Sequence, residues 1–353
     1  MQPSPALPPG LVEVGARTER RVVTLLDAEI VQWRAVDAAL AEPIEALRAM
    51  VTAGGKGVRA AFCYWAFIGA GGDEGDGRIV DLCAAVEMLH ACALVHDDVI
   101  DGSATRRGRP SVHRHFVDRH DASSAPGESR RFGEGAAILV GDLAFVYADM
   151  LLGAAPVAAR EVFDRMRVEL CVGQFLDLFG SASAERDRVR ADRIQHYKTG
   201  KYTVERPLHL GAALAGRLDG LEAPLSGYGV PLGTAFQLRD DLLGVFGDPL
   251  VTGKPVGDDL REGKLTTLLA VATDAADSAQ RDVLAMVGRG PLGDDDVRSI
   301  QQVMVDTGAV EQVEHTITEL VHESATALHE APVTPAARDA LGALARFVAW
   351  RDR

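Results

Sequence analysis

The sequence predicts an all-α protein, a bundle of helices around a deep apolar pocket, and three observations predict it. Ala, Leu and Val dominate a chain that is 47% hydrophobic but only 5% aromatic, a bias that suits long helices better than sheets. Apolar residues recur at helical spacing through segments of about ten to twenty-five residues, and no convincing period-two strand interrupts them. Gly-, Pro- or Asp-rich breaks fall at 69–77, 119–135, 180–187, 216–226, 247–264 and 288–296. None is long enough to link two domains and no repeat of fixed period is visible. One helical domain over residues 19–353 is the simplest parse, preceded by a disordered tail over 1–18.

The 353 residues are ample for a large core. A formal charge of −14 argues against a nucleic-acid or anionic-membrane surface while leaving room for a local basic pocket. Cys63, Cys83, Cys92 and Cys171 stand singly in apolar runs with no C-x-x-C pair, which fits a reduced, cytoplasmic setting and neither zinc nor a disulfide framework. The start "MQPSPALPPG" has no basic or apolar region of a signal peptide. The most membrane-like run, Ala136 to Ala159, contains Asp142, Asp149 and Pro156, and reads as a core helix with no stable membrane insertion. "GAGGDEGDG" at 69–77 lacks the dinucleotide fingerprint, because Glu74 takes its last glycine position. "GGKGVR" at 54–59 lacks the register of a nucleotide-binding P-loop.

The chemistry concentrates at "ALVHDDVIDGSATRRGRP", residues 93–110. No residue from Asp81 to Asp101 breaks a helix, and on such a helix His90, Ala93, Asp97 and Asp101 share one stripe. Carboxylates one turn apart repel unless a cation lies between them, and hard oxygen donors at that spacing suit Mg²⁺ that takes its other ligands from water and phosphate. Arg106, Arg107 and Arg109 follow at once. "FQLRDDLLGVFGDP", residues 236–249, repeats the theme, with Asp240 and Asp241 at the polar end of another apolar helix and Gln237 one turn behind. Facing one another across a bundle, the two pairs would hold a small cluster of metals bridged by a polyphosphate, above an apolar cavity.

With these motifs the chain resembles the trans-isoprenyl diphosphate synthases of the polyprenyl synthetase family, closest in character to actinobacterial geranylgeranyl and farnesyl diphosphate synthases. "DDVID" is similar to the family's first aspartate-rich motif and "DDLLG" stands where the second is expected. "EMLHACALVHDD", "GQFLD", "YKTGKY" and "TGKPVGDDLREGK" follow family order, and the matching motifs run from Gly54 to Lys264. The resemblance implies an isoprenoid-synthase bundle, a homodimer, and Mg²⁺ ions, about three, bridging an allylic diphosphate to the two motifs. It implies metal ligation by Asp97, Asp101 and Asp240, with Asp98 and Asp241 as supporting carboxylates and Gln174 and Asp177 backing the first cluster. Arg106, Lys198 and Lys254 would hold the allylic diphosphate, with Thr199, Gln237 and Lys264 also at the substrates. Lys56, Arg59, His90 and Arg107 would bind isopentenyl diphosphate.

The implied reaction joins the two substrates head to tail through an allylic carbocation that must be kept dry. Gly200 would permit a local helix break that turns carbonyl oxygens towards that cation, and no side-chain base is apparent. Three positions depart from the family pattern: Gly244 replaces a frequent third aspartate of the second motif, Gly57 a common arginine and Ala60 a common proline. Product length should follow the helix below Asp97, since one turn spans about one isoprene unit. Ala93 and Cys92 are small where short-chain synthases carry aromatic residues, and Leu89 would close the pocket one turn deeper. A twenty-carbon product is therefore expected over fifteen. Farnesyl diphosphate synthesis, a class I terpene synthase and a non-catalytic subunit of a heteromeric synthase are the competing readings.

Overall fold

Helix boundaries follow local chemistry. Asp37 opens one helix by accepting a hydrogen bond from the Ala39 amide at 2.8 Å, and Asp277 and Gln280 cap another reciprocally. The computed structural model describes residues 7–182, 193–248 and 256–351. Its first half comprises α1 (Pro9–Arg34), α2 (Ala38–Val51), α3 (Val58–Gly69), α4 (Arg78–Asp101), α5 (Val112–Ala122), α6 (Ser129–Leu151) and α7 (Val157–Ala182). A two-stranded antiparallel hairpin, β1 (Thr105–Arg106) and β2 (Arg109–Pro110), lies between α4 and α5. A π-helix (Gln195–Glu205) then runs straight into α8 (Arg206–Leu214), followed by α9 (Leu218–Phe246) and α10 (Asp258–Arg261). The chain closes with α11 (Thr267–Ala275), α12 (Ser278–Leu284), α13 (Asp294–Asp306), α14 (Ala309–Glu330) and α15 (Pro335–Trp350).

Two apolar cores meet at α3. Phe62 belongs to the core shared with α9 and α11–α15, and Phe67 to the core shared with α1, α2, α4, α6 and α7. Helix α4 is long and apolar enough to cross a membrane, yet most of it is buried inside the bundle. Polar groups in the first core are paired. The Tyr228 hydroxyl donates to the Leu341 carbonyl at 2.8 Å, and Ser324 donates to the Tyr228 carbonyl at 2.9 Å. Arg239 on α9 grips Glu314 through two bonds of 2.8 and 2.7 Å and donates to the Ala349 carbonyl at 2.6 Å, which fixes the C-terminal helix against α9.

Several expectations are corrected. Residues 9–18 are the first turns of α1 rather than tail, because Leu11 and Val14 are buried in the bundle. The 119–135 stretch is mostly the end of α5 and the start of α6, and Arg119 ties it to Glu42 of α2. Helix α9 runs through Pro224, since buried Leu221, Leu225 and Tyr228 outweigh the roughly 3 kcal/mol that an interior proline costs. The 136–159 run is not one helix but most of α6, the turn at 152–156 and the start of α7, and α6 is buried on one face only: Ala137, Val140 and Ala144 are inside, whereas Leu139, Val146 and Met150 are exposed.

Gly200 sits inside the π-helix and not at a break. Neighbouring helices wedge that segment from both sides. A Cβ at Gly173 of α7 would lie 2.5 Å from the Lys198 nitrogen, and one at Gly233 of α9 would lie 2.7 Å from the Gly200 Cα. Backbone meets backbone at both points, so Lys198 and Thr199 are held by main-chain contact. Gly233→Ala should therefore cost about 1–3 kcal/mol in a denaturant titration, the usual range for overpacking. A variant as stable as the parent would show that the two backbones are free to part.

Candidate active site

The last turn of α4, the last turns of α7 and α9, the π-helix and α10 converge on one end of the bundle. A cavity of about 380 Å³ there is lined by Asp97, Arg106, Asp177, Lys198, Thr199, Gln237, Asp240, Asp241 and Lys264. Lys198 Nζ stands 2.5 Å from Asp177 and 3.1 Å from Asp97, and Gln174 donates to the same Asp97 oxygen at 2.9 Å. Lys264 Nζ reaches Asp101 at 3.4 Å across the cavity and Glu262 at 2.6 Å. On the facing helix, Asp240 pairs with the guanidinium of Arg351, which also lies 4.0 Å above the Phe236 ring. Gln237 donates to Asp241 at 2.7 Å. Each ligand-type carboxylate thus has a cation or amide beside it.

Asp98 has a different place from its neighbours. It is 1% exposed and holds Arg106, whose Nε donates to it at 2.9 Å, so it anchors the arginine behind the carboxylates that face the cavity. Lys254 lies outside the described residues.

A second cavity, about 880 Å³, adjoins the first. Lys56, Arg59, His90, Ala93, Arg107 and Gln174 line it, and Asp97, Arg106, Lys198, Thr199, Gln237 and Asp240 line both. Arg107 reaches it from the hairpin turn, with a positive φ of 53° followed by 70° at Gly108, as a two-residue turn of the mirror-image type requires. The Arg59 guanidinium stacks 4.5 Å from the Tyr202 ring and donates to Thr203 at 3.0 Å. Arg59 Nε and His90 Nδ1 are buried with no hydrogen-bond partner in the protein. Orphaned polar atoms among three cations, with apolar Ala93, Leu94 and Leu170 below, describe an anion site over a greasy channel. Leu89 and Cys92 do not line it. Both are buried in the core, and Cys92 Sγ lies 3.7 Å from His96. Of the three positions expected to meter product length, only Ala93 faces the cavity.

The electrostatics differ from one carboxylate of the cavity to the next. Burial pulls Asp97 up, but the ammonium groups of Lys198 and Lys264 outweigh it and hold the carboxyl below its usual range. Burial and the nearby Asp97 push Asp101 up to about 6. Burial, with Asp259 and Asp240 adding to it, pushes Asp241 up to about 8. Burial and the three arginines keep His90 neutral. Among the described residues no three acidic, imidazole or thiol groups converge tightly enough to cage an ion. All-oxygen donors split between two helices fit Mg²⁺ that completes its shell with phosphate oxygens.

A family model described as polyprenyl synthetase matches residues 41–304. The chain belongs to the polyprenyl synthetase family. It is a trans-prenyltransferase, and its relatives point to the geranylgeranyl type. It is 38% identical to a geranylgeranyl diphosphate synthase of Mycobacterium tuberculosis over 239 residues, 66% of this chain and 62% of that protein. It is 29% identical to a geranylfarnesyl diphosphate synthase of Aeropyrum pernix over 312 residues, 86% of this chain and 92% of the other. Among solved structures it is similar to a geranylgeranyl pyrophosphate synthase of Corynebacterium glutamicum complexed with isoprenyl diphosphate and magnesium. The TM-score is 0.92 and the identity 36%, over 97% of this chain and 99% of that one.

Sequence reasoning missed four residues that the site contains. Glu87 and Tyr202 line the basic cavity, yet a single acid and a single aromatic on apolar helices carry no signal. Arg351 reaches Asp240 only because Arg239 pins α15. Asp259 lies inside the quoted "GDDLREGK" and was hidden by its more conspicuous lysine.

The raised Asp241 carboxyl has a consequence for stability. It stays protonated up to about pH 8 in the fold but ionises near 3.8 when exposed. Between those values the folded state binds the extra proton, so the Asp241 contribution is complete below about pH 4 and is lost as pH rises through about 8. Calorimetry in chelator should show Asp241→Asn gaining Tm over the parent at pH 8 and much less at pH 5. An equal difference at both pH values would remove Asp241 from this account.

Proposed function

We propose that this chain condenses an allylic diphosphate with isopentenyl diphosphate, Mg²⁺-dependently, to make geranylgeranyl diphosphate. The observation that carries the reading is the pair of adjoining cavities: one framed by two acidic helix ends, one lined by the basic residues Lys56, Arg59, His90 and Arg107, with six residues lining both. An enzyme that acts on one diphosphate has no use for the second cavity, which favours this reading over a terpene cyclase.

In this reading Asp97, Asp101 and Asp240 ligate the ions, Gln174 steadies Asp97, and Asp177 backs the cluster through Lys198, which reaches both carboxylates. About three Mg²⁺ ions, when bound, supply the positive charge that stabilises the departing diphosphate. Lys198 and Arg106, already beside Asp97, turn to the allylic diphosphate as its carboxylate partners are taken up. Thr199 and Gln237, on the wall between the cavities, orient the reacting end of that substrate. Lys56, Arg59, Arg107 and neutral His90 hold isopentenyl diphosphate. The apolar walls at Ala93, Leu94 and Leu170 exclude water from the carbocation, and the leaving diphosphate accepts the proton at the end. Ala93 leaves room for a twenty-carbon chain.

The enzyme works as a homodimer in the cytoplasm. Leu139, Val146 and Met150 on α6 and Val172, Phe175 and Phe179 on α7 are large, apolar and exposed, and Arg167 joins the two helices through Asp149 at 2.9 Å. Apolar surface of that kind is what an obligate partner covers. The unpaired cysteines fit a reducing compartment.

Labelled isopentenyl diphosphate with allylic primers of several lengths, followed by chromatography of the dephosphorylated products, tests the whole reading. A twenty-carbon product should dominate. Asp97→Ala and Asp101→Ala should each lose at least about a hundredfold in kcat, as expected for a principal electrostatic stabiliser. Ala93→Phe should shorten the product to fifteen carbons. Near-normal turnover by either aspartate variant would sink the metal assignment, and an unshortened product would sink the ruler.

A further inference from the structure

Eleven residues of π-helix are more than a chain keeps unaided, because such helices occur mostly as single turns. Lys198, Thr199 and Tyr202 of that segment line the cavities. Away from the cavities it joins a buried network of charge that the proposed reaction does not use. Glu205, 5% exposed, accepts a bond from Lys201 at 2.8 Å and one from the Ser226 hydroxyl of α9 at 2.7 Å. Lys201 also lies 3.9 Å from Glu169 of α7, the carboxylate that Arg206 grips. Arg206 donates to His209 Nδ1 at 3.1 Å, so the ring proton sits on Nε2, directed at the Glu222 carbonyl at 3.2 Å and the Ser226 oxygen at 3.1 Å. Burial pulls the Glu205 carboxyl up, but Lys201 and Ser226 hold it below its usual range. None of these six side chains lines either cavity.

The segment is thus fixed at two places. Gly173 and Gly233 meet its main chain at Lys198 and Gly200, which stops it from moving sideways but leaves it free to turn about its own axis. Turning is stopped at the far end, where Ser226 ties Glu205 to α9 and Glu169 ties Arg206 to α7. We propose that Glu205, through Ser226 and Lys201, is a positioning residue that holds the π-helix in the rotation at which Lys198 meets the allylic diphosphate. The proposal rests on the reading above, in which Lys198 binds that diphosphate. Bonds from i to i+5 put more residues into each turn than the i to i+4 bonds of an α-helix. With the Glu205 end untied the segment can retighten, and a slip of one residue turns a helical side chain by about 100°. That is enough to swing Lys198 off Asp97 and Asp177. Hydrogen bonds suit the task because donor and acceptor must align, which fixes a rotation that apolar packing would leave loose.

Binding of a non-cleavable allylic thiolodiphosphate to the full chain in saturating Mg²⁺, measured by calorimetric titration, tests this without turnover. Glu205→Gln keeps the shape and removes the charge, and should weaken the ligand about tenfold, a usual size for coupling between groups in one network. Ser226→Ala should act in the same direction and less strongly. Amide hydrogen exchange over residues 195–205 should quicken in both variants, and a circular dichroism melt places each titration below its unfolding temperature. The deciding measurement is Glu205→Gln in a Lys198→Met background. A residue that acts through Lys198 has little left to lose there, so the further weakening should stay within about threefold. A full tenfold loss in that background would show that Glu205 only stabilises the fold, and would overturn the proposal. Unchanged binding in both Glu205→Gln and Ser226→Ala, or unchanged exchange over the segment, would overturn it as well. A Lys198→Met variant that binds the ligand as tightly as the parent would instead overturn the assignment of Lys198 to the allylic diphosphate, and the proposal with it.

Discussion

Mutual repulsion between two acidic helix ends is the constraint on which the site depends. Helices α4 and α9 present Asp97, Asp240 and Asp241 to one cavity, with Asp101 one turn beyond Asp97, and like charges in a partly buried site are more costly than in solvent. The chain answers with its own cations: Lys198 on Asp97 and Asp177, Lys264 on Asp101, and Arg351 on Asp240. At Asp241 burial raises the carboxyl, which accepts hydrogen bonds from Gln237 and the Thr267 amide. These lysines and arginines are also the groups that a diphosphate would need. The same side chains therefore neutralise the carboxylates and, in the proposed reading, would turn to the substrate once Mg²⁺ takes those carboxylates.

That exchange explains why the scaffold is rigid where it is. In the proposed reading Lys198 serves two partners in turn, and its segment is fixed by Gly173 against Lys198 and Gly233 against Gly200, while the π-helix is braced from outside by Arg206 gripping Glu169 through two bonds of 2.7 Å. Arg351 lies on Asp240 where buried Arg239 of α9 binds the Ala349 carbonyl of the C-terminal helix and Glu314 of α14. The strained backbone at Arg107 aims a guanidinium into the basic cavity at the expense of a conformation that non-glycine residues avoid.

The helical class, the single bundle and the acidic pairs were legible because periodicity and charge pairs on apolar helices are local signals. Spatial groupings were less so. Asp97 and Asp98 are adjacent in sequence, yet one faces the cavity and the other is buried behind it, since consecutive helical residues point about 100° apart. Leu89 and Cys92 looked like pocket floor by spacing from Asp97, but that face of α4 packs into the core beside α6. Asp259 and Arg351 were invisible for the same reason: each reaches the site through a tertiary contact made far along the chain. The prolines of α9 and the tail-like start of α1 misled in the opposite direction, because burial overrides local propensity.

The central claim is that metal and diphosphate displace the internal cations together, so that each needs the other to bind well. Calorimetric titration of Mg²⁺ into the metal-free chain, with and without saturating inorganic diphosphate, measures this directly. The account predicts Mg²⁺ binding at least about tenfold tighter with diphosphate present, and diphosphate tightened by Mg²⁺ by the same factor, as linkage requires. Equally tight Mg²⁺ binding in the absence of diphosphate would contradict it.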